Sequence, residues 1–160
     1  LVAQVLDAQG KASAAAVAAA IHWAVQGGAR LLHMSLGLSQ DRDVLADAVS
    51  DAVAAGVILL ASTPARGERS FPARYRGVIA ATGDARCAPG EISCLQGDPP
   101  DFGGCVWAPM PEGGEARGAS IGAAYVSRFI LDHLPAGAAL HEVRQVLGRE
   151  ARYQGRERRT

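Results

Sequence analysis

Apolar positions along the chain change their period several times, and each change marks an element. Residues 1–7, LVAQVLD, are an apolar-rich run that predicts a strand. In SAAAVAAAIHWAVQGGA (13–29), Val17, Ile21 and Val25 recur every fourth residue on one helical face, and the Gly27-Gly28 pair supplies the stop. RLLHMSLG (30–37) reads as the next strand. DRDVLADAVSDAVAAG (41–56) predicts a helix with Asp41 as N-cap, Leu45, Val49 and Val53 on one face, and Gly56 closing it. VILLAS (57–62) is continuously apolar, as a strand buried on both faces requires, and GVIAATG (77–83) is of the same kind. Residues 84–117 are rich in Gly, Pro, Asp and Glu and predict loop with at most one strand, at VWAP (106–109). SIGAAYVSRFILDHL (120–134), ended by Pro135, and ALHEVRQVLGREA (139–151), with Leu140, Val143 and Leu147 at helical spacing, predict two further helices. The polar, basic end is expected to fray, so the organisation read is one α/β domain over 1–148 and a basic polar tail over 149–160.

Strand, helix, strand, helix, strand implies right-handed crossovers and a mainly parallel sheet flanked by helices. Ligands in such sheets sit beyond the carboxyl ends of the strands. Attention therefore falls on residues 7–10, 35–39, 61–67 and 83–86.

Composition narrows the function classes. Apolar residues make up 49% of the 160 and charged residues 20%, and the formal net charge is zero, which gives no bulk electrostatic reason to bind nucleic acid or an anionic membrane. No apolar run approaches the roughly 18 residues that span a bilayer. The chain opens at Leu1 inside a strand-like run with no signal-peptide pattern, which predicts material removed upstream and leaves the compartment unassigned. Cys87, Cys94 and Cys105 match neither zinc nor redox spacings, so no metal or cofactor is expected; one disulfide with a free thiol and three plain thiols remain open. The stretch EGGEARGAS lacks both nucleotide-binding glycine spacings.

Six segments in serial order carry a resemblance: VAQVLDAQGKAS, AIHWAVQGGARLLHMSLG, AVAAGVILLAS, FPARYRGVIAATG, VWAP and GASIGAAYV. Together they resemble the subtilisin-like serine proteases, over nearly the whole chain but only the later two thirds of that family's catalytic domain. The resemblance implies a truncated subtilisin-like fold. It places Ser120 at the nucleophile and Ser35, Leu36 and Gly37 on the strand that binds substrate backbone. It also implies that the family's catalytic aspartate and histidine precede Leu1, and that the oxyanion-supporting asparagine corresponds to a position near Ala65; the chain contains no asparagine at all. Ala119, Ala124 and Tyr125 stand where the family's serine motif has Thr, Pro and His. Calcium, frequent in the family, is not carried over.

A serine hydroxyl needs a neighbouring base, and the base needs an orienting partner. Loss of a triad member costs on the order of 10⁴ to 10⁶ in turnover. Ser120 accordingly has two readings, a nucleophile completed from elsewhere or the N-cap of its helix. Of the four histidines, His33 is the best substitute base, because it can share a strand face with Ser35. Its other reading is a hydrogen-bonded structural histidine. His22 reads as packed or surface, His133 as a helix-end residue and His141 as solvated. Asp7 and Asp84 follow strands and read as turn residues.

The resemblance also implies that the family's aspartate-bearing strand lies between those matched by 1–7 and 30–37. Its loss predicts direct pairing of the two, a strand donated by a partner as in a dimer, or a bound upstream segment completing the sheet. The function expected is a degenerate, non-catalytic protease-like domain that binds a peptide or protein partner beside Ser35–Gly37. The alternative is a serine endopeptidase with Ser120 as nucleophile and its Asp and His supplied by an upstream or partner segment.

Overall fold

A computed structural model describes residues 1–66, 70–96 and 99–156. Helix α1 (Ala14–Gln26) is capped by Ser13, whose hydroxyl accepts the Ala16 N–H at 3.1 Å, and it buries Val17, Ile21 and Ala24. Strand β1 (Leu31–Met34) follows, then α2 (Asp43–Ala54), β2 (Ile58–Ser62) and β3 (Val78–Asp84). Beyond these lie β4 (Ile92–Cys94), β5 (Phe102–Cys105), β6 (Trp107–Pro109), β7 (Glu115–Arg117), α3 (Ala119–His133), α4 (Leu140–Glu150) and β8 (Tyr153–Gln154).

The main sheet has the order β1-β2-β3-β5-β4-β8, with all neighbours parallel except β4 and β5; β6 and β7 form a separate antiparallel pair. The fold is α/β with a mostly parallel sheet, as the sequence predicted. Strand alternation divides the core in two. Leu59 and Ala61 face α1 and α2 with Val17, Ile21, Leu45 and Val49. Ile58 and Leu60 face α3 and α4 with Val126, Ile130, Val143 and Leu147. Each large side chain so buried contributes about 1.5–3 kcal/mol.

Four expectations need correction. Residues 1–7 form no strand: they lie across a groove of about 710 Å³ from β1, and a strand exists only where it has a ladder partner. Direct pairing of this segment with β1 is therefore not how the sheet is arranged, and β1 is an edge strand. Asp41 is not the cap of α2. Arg42 occupies that position without a side-chain bond, while the Asp41 carboxylate accepts the Tyr75 hydroxyl at 2.7 Å. Residues 84–117 hold four short strands, and the basic end is tied down: β8 pairs with β4, and Gly155 N–H donates to the Cys94 carbonyl at 2.8 Å. Residues 157–160 of the tail, and Gly67 of the loop after β2, lie outside the described residues.

Candidate functional site

Helix α3 starts at the carboxyl ends of the central strands, and a glycine lets it come so close. At Gly122 an added Cβ would overlap the Thr82 carbonyl of β3. The N-cap is Gly118, with φ of 137°, and no side chain caps the helix. Ser120 thus sits inside the first turn, half-buried. Its reading as the helix cap is overturned, because the helix begins two residues earlier on a glycine conformation that a serine would resist. No hydrogen bond reaches the Ser120 side chain from any described residue. The hydroxyl therefore sits unengaged at the positive end of a helix dipole.

The imidazole nearest in role is committed elsewhere. His33 projects from β1 with Nε2 2.5 Å from Ser35 Oγ and Nδ1 2.8 Å from Ser127 Oγ on α3. His33 and Ser35 do share a strand face, as their spacing predicted. Ser127 lies seven residues beyond Ser120, which is two helical turns or about 10 Å along the axis. His33 is the partner of Ser127, and Ser120 is left without a histidine among the described residues. The His33 side chain is exposed, but its packing partly desolvates the ring and lowers its pKa below the ordinary 6.5, which favours the neutral form.

Ser35, Leu36 and Gly37 leave the end of β1 and line a cavity of about 450 Å³ with Leu6, Lys11 and Leu38. The backbone is pinned just beyond by the paired hydrogen bonds of Leu38 and Phe71, 2.8 Å each. At Gly37 an added Cβ would meet Ser70 Oγ, so the serine hydroxyl would have to turn away. Ser35 and Leu36 also close one end of the 710 Å³ groove, whose lining carries no Asp, Glu, Lys or Arg. That arrangement can hold an extended, uncharged chain segment. Ala65 lines a third cavity of about 410 Å³ with Arg66, Thr82, Gly83 and Asp84, and offers no amide donor from its side chain.

Asp7 is a turn residue: one carboxylate oxygen accepts the N–H groups of Gln9 and Lys11 at 2.9 and 2.8 Å. Asp84 also accepts the Arg86 N–H at 3.0 Å, but its larger engagement is an ion pair, with Arg86 Nη2 2.7 Å from Oδ2. Burial raises the Asp84 pKa, the hydrogen bonds from Arg86 outweigh it, and the carboxyl is held below its ordinary value. His22 pairs with Asp51 at 3.4 Å on the surface, His133 stacks on Phe129 with ring centroids 4.0 Å apart, and His141 is exposed. All three cysteines are free thiols in this structure, with no disulfide between any two of them. No group of three or more His, Cys, Asp or Glu side chains able to hold a metal ion forms among the described residues. Neither Ser127 nor Arg86 stood out in the sequence. Each acts through a partner brought by folding, and only the i, i+2 spacing of Asp84 and Arg86 offered a local signal.

No protein-family model matches the chain. In sequence it is 38% identical over 79 residues to the thermostable alkaline protease of Halalkalibacterium halodurans, a match covering 48% of this chain and 22% of that protein. It is 32% identical over 83 residues to subtilisin DY of Bacillus licheniformis, covering 48% of this chain and 30% of the relative. The matched stretch thus spans less than a third of these relatives' own length. Among solved structures, sphericase superposes with a TM-score of 0.61 at 17% identity over 91% of this chain and 57% of the other. The S218A mutant of the protease domain of PatA superposes with a TM-score of 0.59 at 20% identity, over 86% of this chain and 57% of the other.

Proposed function

We propose, from the premise that this chain is subtilisin-like in fold and over 79 residues in sequence, that it is a degenerate protease-like domain that holds an extended peptide without cleaving it. The observation that carries this reading is the engagement of His33: both ring nitrogens are taken, by Ser35 and by Ser127, and no base is paired with Ser120 among the described residues. A serine without a base keeps its proton at neutral pH, and the cost in turnover is on the order of 10⁴ to 10⁶. Binding needs none of this machinery. The cavity beside Ser35, Leu36 and Gly37 offers a partly apolar bed, with Lys11 as its one charged lining residue, at the end of an edge strand.

The partner is a peptide or protein segment in extended form. In a parallel ladder the backbone groups of alternate residues point to opposite sides. The Arg30 carbonyl accepts from Ile58 of β2, so the N–H and C=O groups of Leu31 and His33 face the groove. A strand donated by a second copy, or a bound upstream segment, would complete the sheet there.

A second reading has its own support. Ser120 is an unengaged hydroxyl in the first turn of a helix at the carboxyl end of the sheet, and the relatives are named as proteases. With Asp and His supplied by an upstream or partner segment, the domain becomes a serine endopeptidase with Ser120 as nucleophile.

Two measurements on the 160-residue chain separate these readings: hydrolysis of fluorescein-labelled casein, and quenching of Trp23, which lines the groove, by the peptide acetyl-Ala-Val-Ala-Val-Ala-Val-amide. Saturable quenching with no casein cleavage is expected. Cleavage that disappears in Ser120→Ala would establish the endopeptidase and overturn the binding-only reading.

A further inference from the structure

The chain Ser35–His33–Ser127 is a complete hydrogen-bonded relay to which neither the Ser120 reading nor the peptide-binding reading gives any chemistry. Its outer member is exposed and lines both cavities beside β1. Its inner member, Ser127, is 7% exposed inside α3. We propose that Ser35 is a reactive acyl-acceptor serine, with His33 Nε2 as its general base and Ser127 as the positioning residue, that takes acyl groups from activated carboxylic esters.

In the tautomer protonated at Nδ1, which the proposed reaction uses, Ser127 Oγ accepts from Nδ1–H and Nε2 is left as the acceptor facing Ser35. A neutral imidazole is the form a general base needs, and the partial desolvation of this otherwise exposed ring favours it. In the reaction, Ser35 Oγ attacks the ester carbonyl carbon while its proton passes to His33 Nε2. The new C–O bond forms, the bond to the leaving alkoxide or phenoxide breaks, and the leaving group takes that proton from His33. The apolar groove beside Leu31, Leu32 and Leu36 accommodates an aliphatic acyl chain. General base assistance is worth about 10² to 10⁴. That suffices for an activated ester, and amide hydrolysis by this serine is not expected.

The test uses an alkyl fluorophosphonate, which balances in the same way: an O–P bond forms at Ser35, the P–F bond breaks, fluoride leaves with the electron pair, and His33 takes the proton. Expected is one equivalent of adduct mapped to Ser35, abolished in Ser35→Ala, unchanged in Ser120→Ala, and slowed about 10²- to 10⁴-fold in His33→Gln. Circular dichroism on each variant establishes that it is folded. Ser127→Ala should displace the pH midpoint of labelling, and Ser127→Thr should restore it. Among charged groups beside the relay, Arg128 pairs with Asp132 on α3 and Asp7 with its own turn, whereas Lys11 and Leu1, which carries the α-amino group, line the adjoining cavities; the midpoint is assigned to His33 by its loss in His33→Gln. No adduct on the folded protein, or labelling of Ser35 at an undiminished rate in His33→Gln, overturns the proposal. An unmoved midpoint in Ser127→Ala overturns the positioning role. Adduct at Ser120 instead would overturn both this inference and the binding-only function, whereas adduct at Ser35 alone leaves that function standing.

Discussion

Gly122 of α3 lies against the carbonyl of Thr82 in β3, so closely that no Cβ fits between them. This contact sets the height of the helix above the sheet and with it the position of Ser120, two residues earlier. Alanine in a helix interior is ordinarily worth about 1 kcal/mol over glycine. Here the added methyl meets backbone, which cannot rotate away. Gly122→Ala is therefore expected to destabilise, by about 1–3 kcal/mol. The midpoint of urea unfolding reads the sign, and an unchanged or raised midpoint would show that α3 is free to lift.

Asp101 joins three elements through one oxygen. Its Oδ2 accepts the Ala80 N–H of β3 at 3.1 Å and the Arg144 guanidinium of α4 at 3.1 Å, and Arg144 also donates to the Val78 carbonyl at 2.9 Å. Asp101→Ala strands the N–H of a fully buried residue, at a cost of about 1–3 kcal/mol. Arg144→Ala is expected to cost less, because its side chain is 37% exposed and its charge is screened. Chemical denaturation of the two variants ranks them. The reverse order would place the weight on the ion pair and not on the backbone bond.

Burial pushes the Cys87 thiol up to about 11 and leaves it 4% exposed. The thiolate is the reactive form, so Cys87 is inert at neutral pH. Cys105 is fully buried, while Cys94 is half-buried. Iodoacetamide at pH 7.5, read by peptide mapping, should modify Cys94 first and the other two only on unfolding, at about the working pH customary for thiolate chemistry. Early modification of Cys87 would mean that the loop between β3 and β4 opens in the native state.

What the sequence announced were elements whose pattern is local. The buried runs 57–62 and 77–83 and the helices carrying Val17, Leu45, Val126 and Val143 declare themselves through periodicity, and they form the framework of the fold. Elements that depend on neighbours were hidden. LVAQVLD has strand composition but no partner. Conversely, FGGC is a strand at the middle of the sheet that reads as loop, because Gly103 and Gly104 must let Asp84 and α3 approach: an added Cβ would come within 2.8 Å of Asp84 Cβ or Tyr125 Cβ. The site divides in the same way. His33 and Ser35 were readable as a same-face pair two residues apart. Ser127 was not, since it is 94 residues from His33 and nothing local ties a mid-helix serine to a distant strand.

The relay makes folding stability depend on pH with a definite sign. The folded pKa of His33 lies below its ordinary 6.5 because of partial desolvation, while the unfolded chain titrates near 6.5. Between those two values the unfolded state binds more protons, so stability falls as pH falls and is fully present only above 6.5. Asp84 acts in a lower window. Its folded pKa is depressed below 3.8, so its contribution is present above that value and is lost as pH falls through the folded one. Urea midpoints measured from pH 8 downward should therefore begin to decline near 6.5, well before the carboxylates titrate. His33→Gln keeps a polar side chain at the site and cannot take up the proton. It is expected to flatten the upper part of the profile and leave the decline below 3.8 intact. If the upper slope survives the substitution, the proton is being taken up elsewhere, and the neutral ring on which the Ser35 chemistry depends loses its support.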